Sequence, residues 1–138
     1  MNFKLMGAVA ALTMMAAGAH AATVNYMAML DGKSETPANT EKGSGLVEGK
    51  LDTATKVFTY TVTYKDLTGP ATAAHFHKGA MGAAGPPVVP VPQPLASPIK
   101  GTATLTDAQI ADLNAGKVYF NVHTAANPGG EIRGTLAK

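Results

Sequence analysis

The chain alternates apolar and polar residues over most of its length. In the clearest case, Val57–Tyr64, the aromatic and aliphatic side chains would share one face and three threonines the other. Because successive side chains of a strand point to opposite faces, this pattern predicts a half-buried antiparallel strand. Weaker runs occur at Thr23–Leu30, Gly45–Leu51, Ala71–His77, Val88–Val91, Ile99–Leu105, Val118–His123 and Glu131–Leu136. Glycine, proline, asparagine and aspartate separate these runs, so we predict an all-β fold of about eight strands, a β-sandwich or barrel.

One segment departs from the two-residue period and predicts a short helix near residues 107–114. Thr106 or Asp107 can cap its first turn, and Gln109 stands three residues after Thr106, as a capping box requires. Gly116 provides a residue that tolerates the left-handed conformation at the end of a helix. We expect this helix to connect two strands.

A glycine- and proline-rich segment, Gly79–Pro98, lies in the middle of the chain. Proline cannot donate to the hydrogen-bond ladder of a central strand. We therefore expect an ordered loop, followed by an edge strand or a polyproline stretch.

The N-terminal residues have the pattern of an export signal. Lys4 precedes an apolar run, Leu5–Ala17, and Ala19-His20-Ala21 has the small-x-small form of a cleavage site. We predict a signal peptide at 1–21, a single domain at 22–138, and a periplasmic or secreted protein. The apolar run is shorter than the ~20 residues of a membrane span, so no span is expected after cleavage.

Composition removes several classes of function. The chain has no cysteine, which excludes thiolate metal ligands and cysteine nucleophiles. Its formal net charge is +2, without a basic run, and this gives no sign of nucleic-acid binding. No serine stands in a Gly-x-Ser-x-Gly elbow, and no phosphate-loop or calcium-loop pattern is present.

The remaining chemistry is concentrated in three histidines. His75 and His77 are two residues apart in a predicted strand, so they share one face, about 6.6 Å apart along it. Phe76 between them is the better core residue, which places both histidines on the outer face. His123 ends another predicted strand, also on its outer face. If these strands are neighbours, the three imidazoles can hold a metal ion, for which we expect copper, with zinc or iron as alternatives.

Two charged residues are expected beside this cluster. A short turn joins the His123 strand to the last strand, where Glu131 and Arg133 share the polar face. Arg133, the only arginine in the chain, could attract a small anion, and Glu131 could bond a histidine or pair with Arg133. Methionines are a further source of soft copper ligands: Met81 lies in the loop, whereas Met27 and Met29 fit strand packing better.

Two motifs carry a resemblance to a known family. Ala74-His75-Phe76-His77-Lys78-Gly79 with Gly82, Gly85 and Pro86 resembles the first signature of the chordin-type, or CHRD, domain. The segment from Gly116 to Gly134 closely resembles the second, and the resemblance spans about Thr23 to Leu136. CHRD domains occur singly in exported bacterial proteins and, in animals, within chordin, a binder of developmental growth factors. The resemblance therefore implies an extracellular domain without specifying an activity.

A looser resemblance runs to the copper–zinc superoxide dismutases. They are Greek-key β-sandwiches that carry an outward His-x-His pair, a later copper-binding histidine and an arginine that guides superoxide. This analogy implies a Greek-key sandwich of immunoglobulin-like or superoxide-dismutase-like type, with His75, His77 and His123 as copper ligands and Arg133 as a catalytic anion guide. The fourth copper histidine, the bridging histidine, the zinc ligands and the disulfide have no counterpart here. At most, the analogy implies a copper-only site with three histidines.

Two functional hypotheses follow. The first is an exported protein that binds copper through three histidines; binding without catalysis is preferred, and an enzyme would be a superoxide dismutase-like oxidoreductase. The second is a non-catalytic extracellular module that binds a protein or polymer partner through the Gly79–Pro98 segment and exposed sheet edges.

Overall fold

A computed structural model describes residues 22–138, and the predicted signal peptide at 1–21 lies outside these described residues. The described chain forms eight strands and one helix. The elements are β1 Thr23–Asp31, β2 Ser44–Asp52, β3 Val57–Lys65, β4 Ala71–Lys78, β5 Pro87–Pro90, β6 Ile99–Thr104, α1 Asp107–Asn114, β7 Val118–Thr124 and β8 Ile132–Thr135. The all-β prediction is confirmed, and each predicted strand lies within two residues of an observed one at either end.

Helix α1 begins and ends as its sequence predicts. The Thr106 side chain accepts from the Gln109 backbone amide, and the Gln109 side chain accepts from the Thr106 backbone amide, so the capping box is complete. Gly116, just beyond the helix, has a φ of +70°. Within residues 22–138, no helix has both the length and the apolar character that a membrane crossing requires.

All strands pair antiparallel in one sheet with the order β5-β4-β7-β8-β1-β2-β3-β6. The connection between β8 and β1 is narrow, because Asp31 and Arg133 are the only residues of these two strands that pair. The sheet therefore has two four-stranded halves, and it curls into a nearly closed, barrel-like shape. The halves face each other as in the predicted sandwich, although they belong to one continuous sheet.

An aromatic cluster joins the two halves. The Phe76 ring of β4 lies 5.7 Å from Phe58 and 5.0 Å from Tyr60, both on β3, and 4.8 Å from Phe120 on β7, measured between ring centroids. Such aromatic pairs contribute about 0.5–1.5 kcal/mol each beyond the burial of their area. Because Phe76 is fixed in the core, its sequence neighbours His75 and His77 must lie on the opposite face of β4.

The expectation that Met27 and Met29 pack within the fold is wrong. Both alternate with the buried residues of β1, so they point outward, and they are 52% and 74% exposed. Met81, in the loop after β4, is also exposed.

Candidate metal centre

The pairing of β4 with β7 brings the three histidines together on the outer face of the sheet. His77 lies opposite Tyr119, His75 opposite Asn121, and Ala73 opposite His123. This register places His123 diagonally beside His75. One ring nitrogen from each histidine lies within 4.8 Å of those from the other two. The structure thus unites the three residues that the sequence predicts as ligands.

His75 and His123 present their nitrogens to each other. Nδ1 of His123 donates to the carbonyl of Pro128 at 2.8 Å, which leaves Nε2 with the lone pair when the ring is neutral. This Nε2 lies 3.2 Å from Nδ1 of His75. Two nitrogens bound at ~2.0–2.1 Å to one tetrahedral metal ion are separated by about 3.3 Å. The spacing of this pair therefore fits a shared metal ion.

His77 lies deeper, and both of its nitrogens have oxygen partners. Nδ1 lies 2.8 Å from the carbonyl of Gly85, and Nε2 lies 3.0 Å from Oδ1 of Asn121. The ring stacks on Tyr119, with the planes 5° apart and the centroids separated by 4.7 Å. His77 is on the predicted face of β4 but is buried, because the loop after β4 folds back over it.

The surroundings of His75 and His77 favour neutral rings. Burial lowers the pKa of His75, and the neighbouring His123 and His77 lower it further. Burial also lowers the pKa of His77, together with His123 and Arg133, and it outweighs the hydrogen bonds to Gly85 and Asn121, which act in the opposite direction. Since only a neutral imidazole offers a lone pair, both shifts increase the capacity of the cluster to bind a metal ion near neutral pH.

Arg133 lies on the histidine side of the sheet, where its guanidinium is buried against other groups. Its central carbon is 3.5 Å from the centroid of the Tyr119 ring, on which His77 also stacks. It donates to the Thr36 hydroxyl at 3.3 Å and to the carbonyl of Ala83. These contacts tie together three separate parts of the chain. The role of Arg133 as an anion guide stays a prediction.

The expectation that Glu131 bonds a histidine or pairs with Arg133 is wrong. Glu131 is fully buried, and its carboxylate accepts from the backbone and hydroxyl of Thr68, the hydroxyl of Thr124 and the side chain of Asn127. Burial alone would raise the pKa of this carboxyl, but the bonds from Thr68, Thr124 and Asn127 bring it below its usual range. Glu131 therefore holds the loop that carries Pro128, the partner of His123.

Three residues of the site were missed or misplaced by sequence reasoning. Tyr119 and Asn121, which fit an exposed sheet surface in the sequence, are buried beside His77. Glu35 is buried as well, in a loop that begins where Asp31 caps the Ser34 amide. Burial raises the pKa of Glu35 to about 7, although Arg133, Thr36 and Asn121 act to lower it. Tyr119 and Asn121 share the outer face of β7 with His123, and this was the signal that could have placed them at the site. The sequence around Glu35 offered no such signal.

The family comparison agrees with the fold and the motifs. Residues 26–136 match the profile of the CHRD domain, which is nearly the whole of the described chain. The chain therefore belongs to the CHRD family. No curated protein and no solved structure matches it.

Proposed function

We propose that this CHRD protein is exported to the periplasm or secreted, and there binds one transition-metal ion, copper in the first place, through His75, His77 and His123. The observation that carries the proposal is the 3.2 Å separation between Nδ1 of His75 and Nε2 of His123. The Pro128 carbonyl supports it, because it holds the proton of His123 on Nδ1 and leaves Nε2 for the metal.

The donor set selects the class of metal. Three imidazoles suit zinc, copper, iron and nickel, whereas calcium and magnesium require oxygen ligands. Among divalent ions, copper binds such nitrogen sites most tightly. Copper is therefore the first candidate, zinc the second and iron the third.

The number of protein ligands determines which chemistry a bound ion could support. Three protein ligands leave room for water or a small anion, and a bound copper ion would add one-electron redox chemistry at that position. Storage or buffering of the metal requires no further residue. Superoxide-related activity would also require an anion to reach the ion, with Arg133 as the predicted guide. We favour binding without catalysis.

The proposal is tested by competition titration of the purified protein with Cu²⁺ and Zn²⁺ against a chromophoric chelator. We expect one tightly bound equivalent, which the triple variant His75→Ala/His77→Ala/His123→Ala loses while it stays folded. The matched control is Thr59→Ala/Thr61→Ala/Thr63→Ala on the outer face of β3, which should bind as the unmodified protein does. Equal binding by the histidine variant would refute the proposal.

A second candidate function is a non-catalytic module that binds a protein or polymer partner. Met29 and Met81 favour it, because they are 74% and 81% exposed and both line a groove of about 680 Å³ beside Arg133. Exposed methionines adapt to varied partner surfaces. Under this hypothesis Met29→Glu/Met81→Glu abolishes partner capture from an extract of the producing organism, whereas Met27→Glu, outside the groove, does not. Capture that depends instead on the histidines would contradict it.

A further inference from the structure

We infer that Asn121, held in place by Glu35 and Gly130, is a latch on His77 that must open before His77 can bind a metal ion. The inference rests on the proposed function for the identity of the ligands. It adds a positioning role for two residues that do not themselves bind the metal.

Two oxygen atoms face the nitrogens of the His77 ring. The Gly85 carbonyl oxygen, 2.8 Å from Nδ1, can only accept a hydrogen bond. Oδ1 of Asn121, 3.0 Å from Nε2, can also only accept. A neutral ring carries a single proton, so one of these nitrogens donates to its oxygen and the lone pair of the other faces the remaining oxygen. In either tautomer an oxygen occupies the position in front of each nitrogen, and neither nitrogen is open to a metal ion. His77 differs in this respect from His123, whose Nε2 faces only Nδ1 of His75.

The orientation of the Asn121 amide follows from its other neighbours. Its Nδ2 lies beside Gly130, where a Cβ atom would come within 2.8 Å of it and would also collide with Oε1 of Glu35. Nδ2 of Asn121 and Oε1 of Glu35 therefore both lie against Gly130, on the side where a Cβ atom would be. A carboxylate oxygen attracts the N–H end of the amide and repels the carbonyl end. Glu35 thereby directs Oδ1 of Asn121 towards His77.

Glu35 is itself held in a position from which it acts on Asn121. Its backbone amide donates to the carbonyl of Gly32 at 3.2 Å, and the nearby Asn39 side chain donates to the carbonyl of Glu131 at 3.0 Å. Oε1 of Glu35 is the only buried side-chain oxygen or nitrogen in residues 22–138 that has no hydrogen-bond partner. Unpartnered buried carboxylate oxygens are costly, so the nearby Asn121 N–H is strongly attracted to it.

The latch divides metal binding into two stages. The His75–His123 pair needs no movement of its side chains, since the two nitrogens already face each other at 3.2 Å, and binding requires only that the proton between them move to the other nitrogen of His75. His77 can bind the ion only after its hydrogen bond to Asn121 breaks. The free energy needed to break that bond reduces the binding free energy of the three-histidine site. Removal of the latch should therefore increase affinity, an outcome that simple damage to the fold does not produce.

The test compares Zn²⁺ and Cu²⁺ affinities of the purified protein and its variants. We expect Asn121→Ala to bind about tenfold more tightly, equivalent to about 1.4 kcal/mol, and Glu35→Gln about threefold, because an amide at position 35 no longer fixes the orientation of Asn121. The matched controls are Asn25→Ala and Glu48→Gln, identical substitutions on exposed positions of β1 and β2, which should leave the affinity unchanged. Unchanged or weaker binding in both latch variants would overturn the inference.

A second measurement separates this inference from the proposed function. In the metal-free protein, nitrogen-15 NMR of the His77 ring should show a proton on Nε2 that exchanges slowly with water. That proton should exchange faster in Glu35→Gln and faster still in Asn121→Ala, if the latter folds. If the protein binds no metal but these signals appear, the proposed function fails and the latch stands. If the protein binds metal while Nε2 carries no protected proton, the latch fails and the proposed function stands.

Discussion

The two outer faces of the curled sheet differ in a way that their sequences do not reveal. On β2 and β3 the outward side chains reach solvent, and Glu48, Lys50 and Thr59 are exposed between buried neighbours. On β7 every residue except His123 is buried, including Tyr119 and Asn121, the two other residues of its outer face. One face is an ordinary solvated sheet surface, and the other is covered by a second layer.

The second layer is polar, which distinguishes it from a hydrophobic core. His77, Tyr119, Asn121 and Arg133 form its floor, and the loops that carry Glu35 and Gly85 form its roof. Buried polar groups are costly unless they are hydrogen-bonded, so such a layer contributes less stability than apolar packing would. Its presence around the histidines is consistent with a role for these side chains beyond folding.

The largest expected difference between the faces concerns their glutamates. Glu131→Ala removes a buried acceptor and leaves donors on Thr68, Thr124 and Asn127 without a partner. We expect a loss of about 4 kcal/mol in the free energy of unfolding. Glu48→Ala on the open face should change it by about 0.5 kcal/mol or less. Urea denaturation measures both, and similar values for the two variants would remove the distinction between the faces.

The pH dependence of stability sharpens the comparison. Burial raises the pKa of Glu35 to about 7 in the folded protein, from its ordinary value of 4.5. The folded state therefore holds this proton more tightly, and the resulting stabilisation is complete below about pH 4.5 and is lost as the pH rises through 7. Glu35→Gln should remove a decline of about 3 kcal/mol between pH 4.5 and pH 8.

The control for this prediction is Glu48→Gln, whose unfolding free energy should follow the pH profile of the unmodified protein. His75 and His77 act in the opposite direction, because their lowered pKa values make stability fall as the pH drops below about 6.5. Neither histidine is substituted in these variants, and their contribution lies at lower pH than the decline assigned to Glu35. Parallel profiles for Glu35→Gln and the unmodified protein would contradict the burial of an unpaired carboxyl.

Gly129 and Gly130 allow a test of how closely the loop that carries Glu35 packs over the outer face of β7. Gly130 has a φ of +129°, and a Cβ atom there would collide with Glu35 and Asn121, whereas nothing lies within 4 Å of a Cβ on Gly129. We expect Gly130→Ala to cost about 2 kcal/mol, since this conformation strongly favours glycine. Gly129→Ala should cost about 0.5 kcal/mol or less. Thermal unfolding of the two variants provides the measurement, and equal midpoints would disprove the close approach.

The smallest effect is expected on the open face itself. Thr59 lies opposite Thr102 on the neighbouring strand β6, with its side chain in solvent. Thr59→Ala should change the free energy of unfolding by about 0.5 kcal/mol or less, and leave metal binding unaltered. A loss of binding in this variant would show that the site is sensitive to remote changes, and it would weaken every assignment made from the histidine variants.

The strands were predictable from sequence because the two-residue period is a local property, and α1 was predictable because its capping residues are adjacent in the chain. The sidedness of His75 and His77 followed from Phe76 by the same local argument. The burial of His77, Asn121 and Arg133 was not predictable, since it depends on loops that come from distant parts of the chain. Glu35 reaches Asn121 and Gly130 only in the folded protein, and no pattern around residue 35 indicates this contact.

The most direct test of the central claim is X-ray absorption spectroscopy of the protein loaded with one equivalent of copper, because it counts the ligands of the ion. We expect three imidazole nitrogens at about 2.0 Å and no sulfur, with one fewer imidazole in His123→Ala. Fewer than three imidazoles, or a thioether sulfur from an exposed methionine, would contradict the three-histidine site.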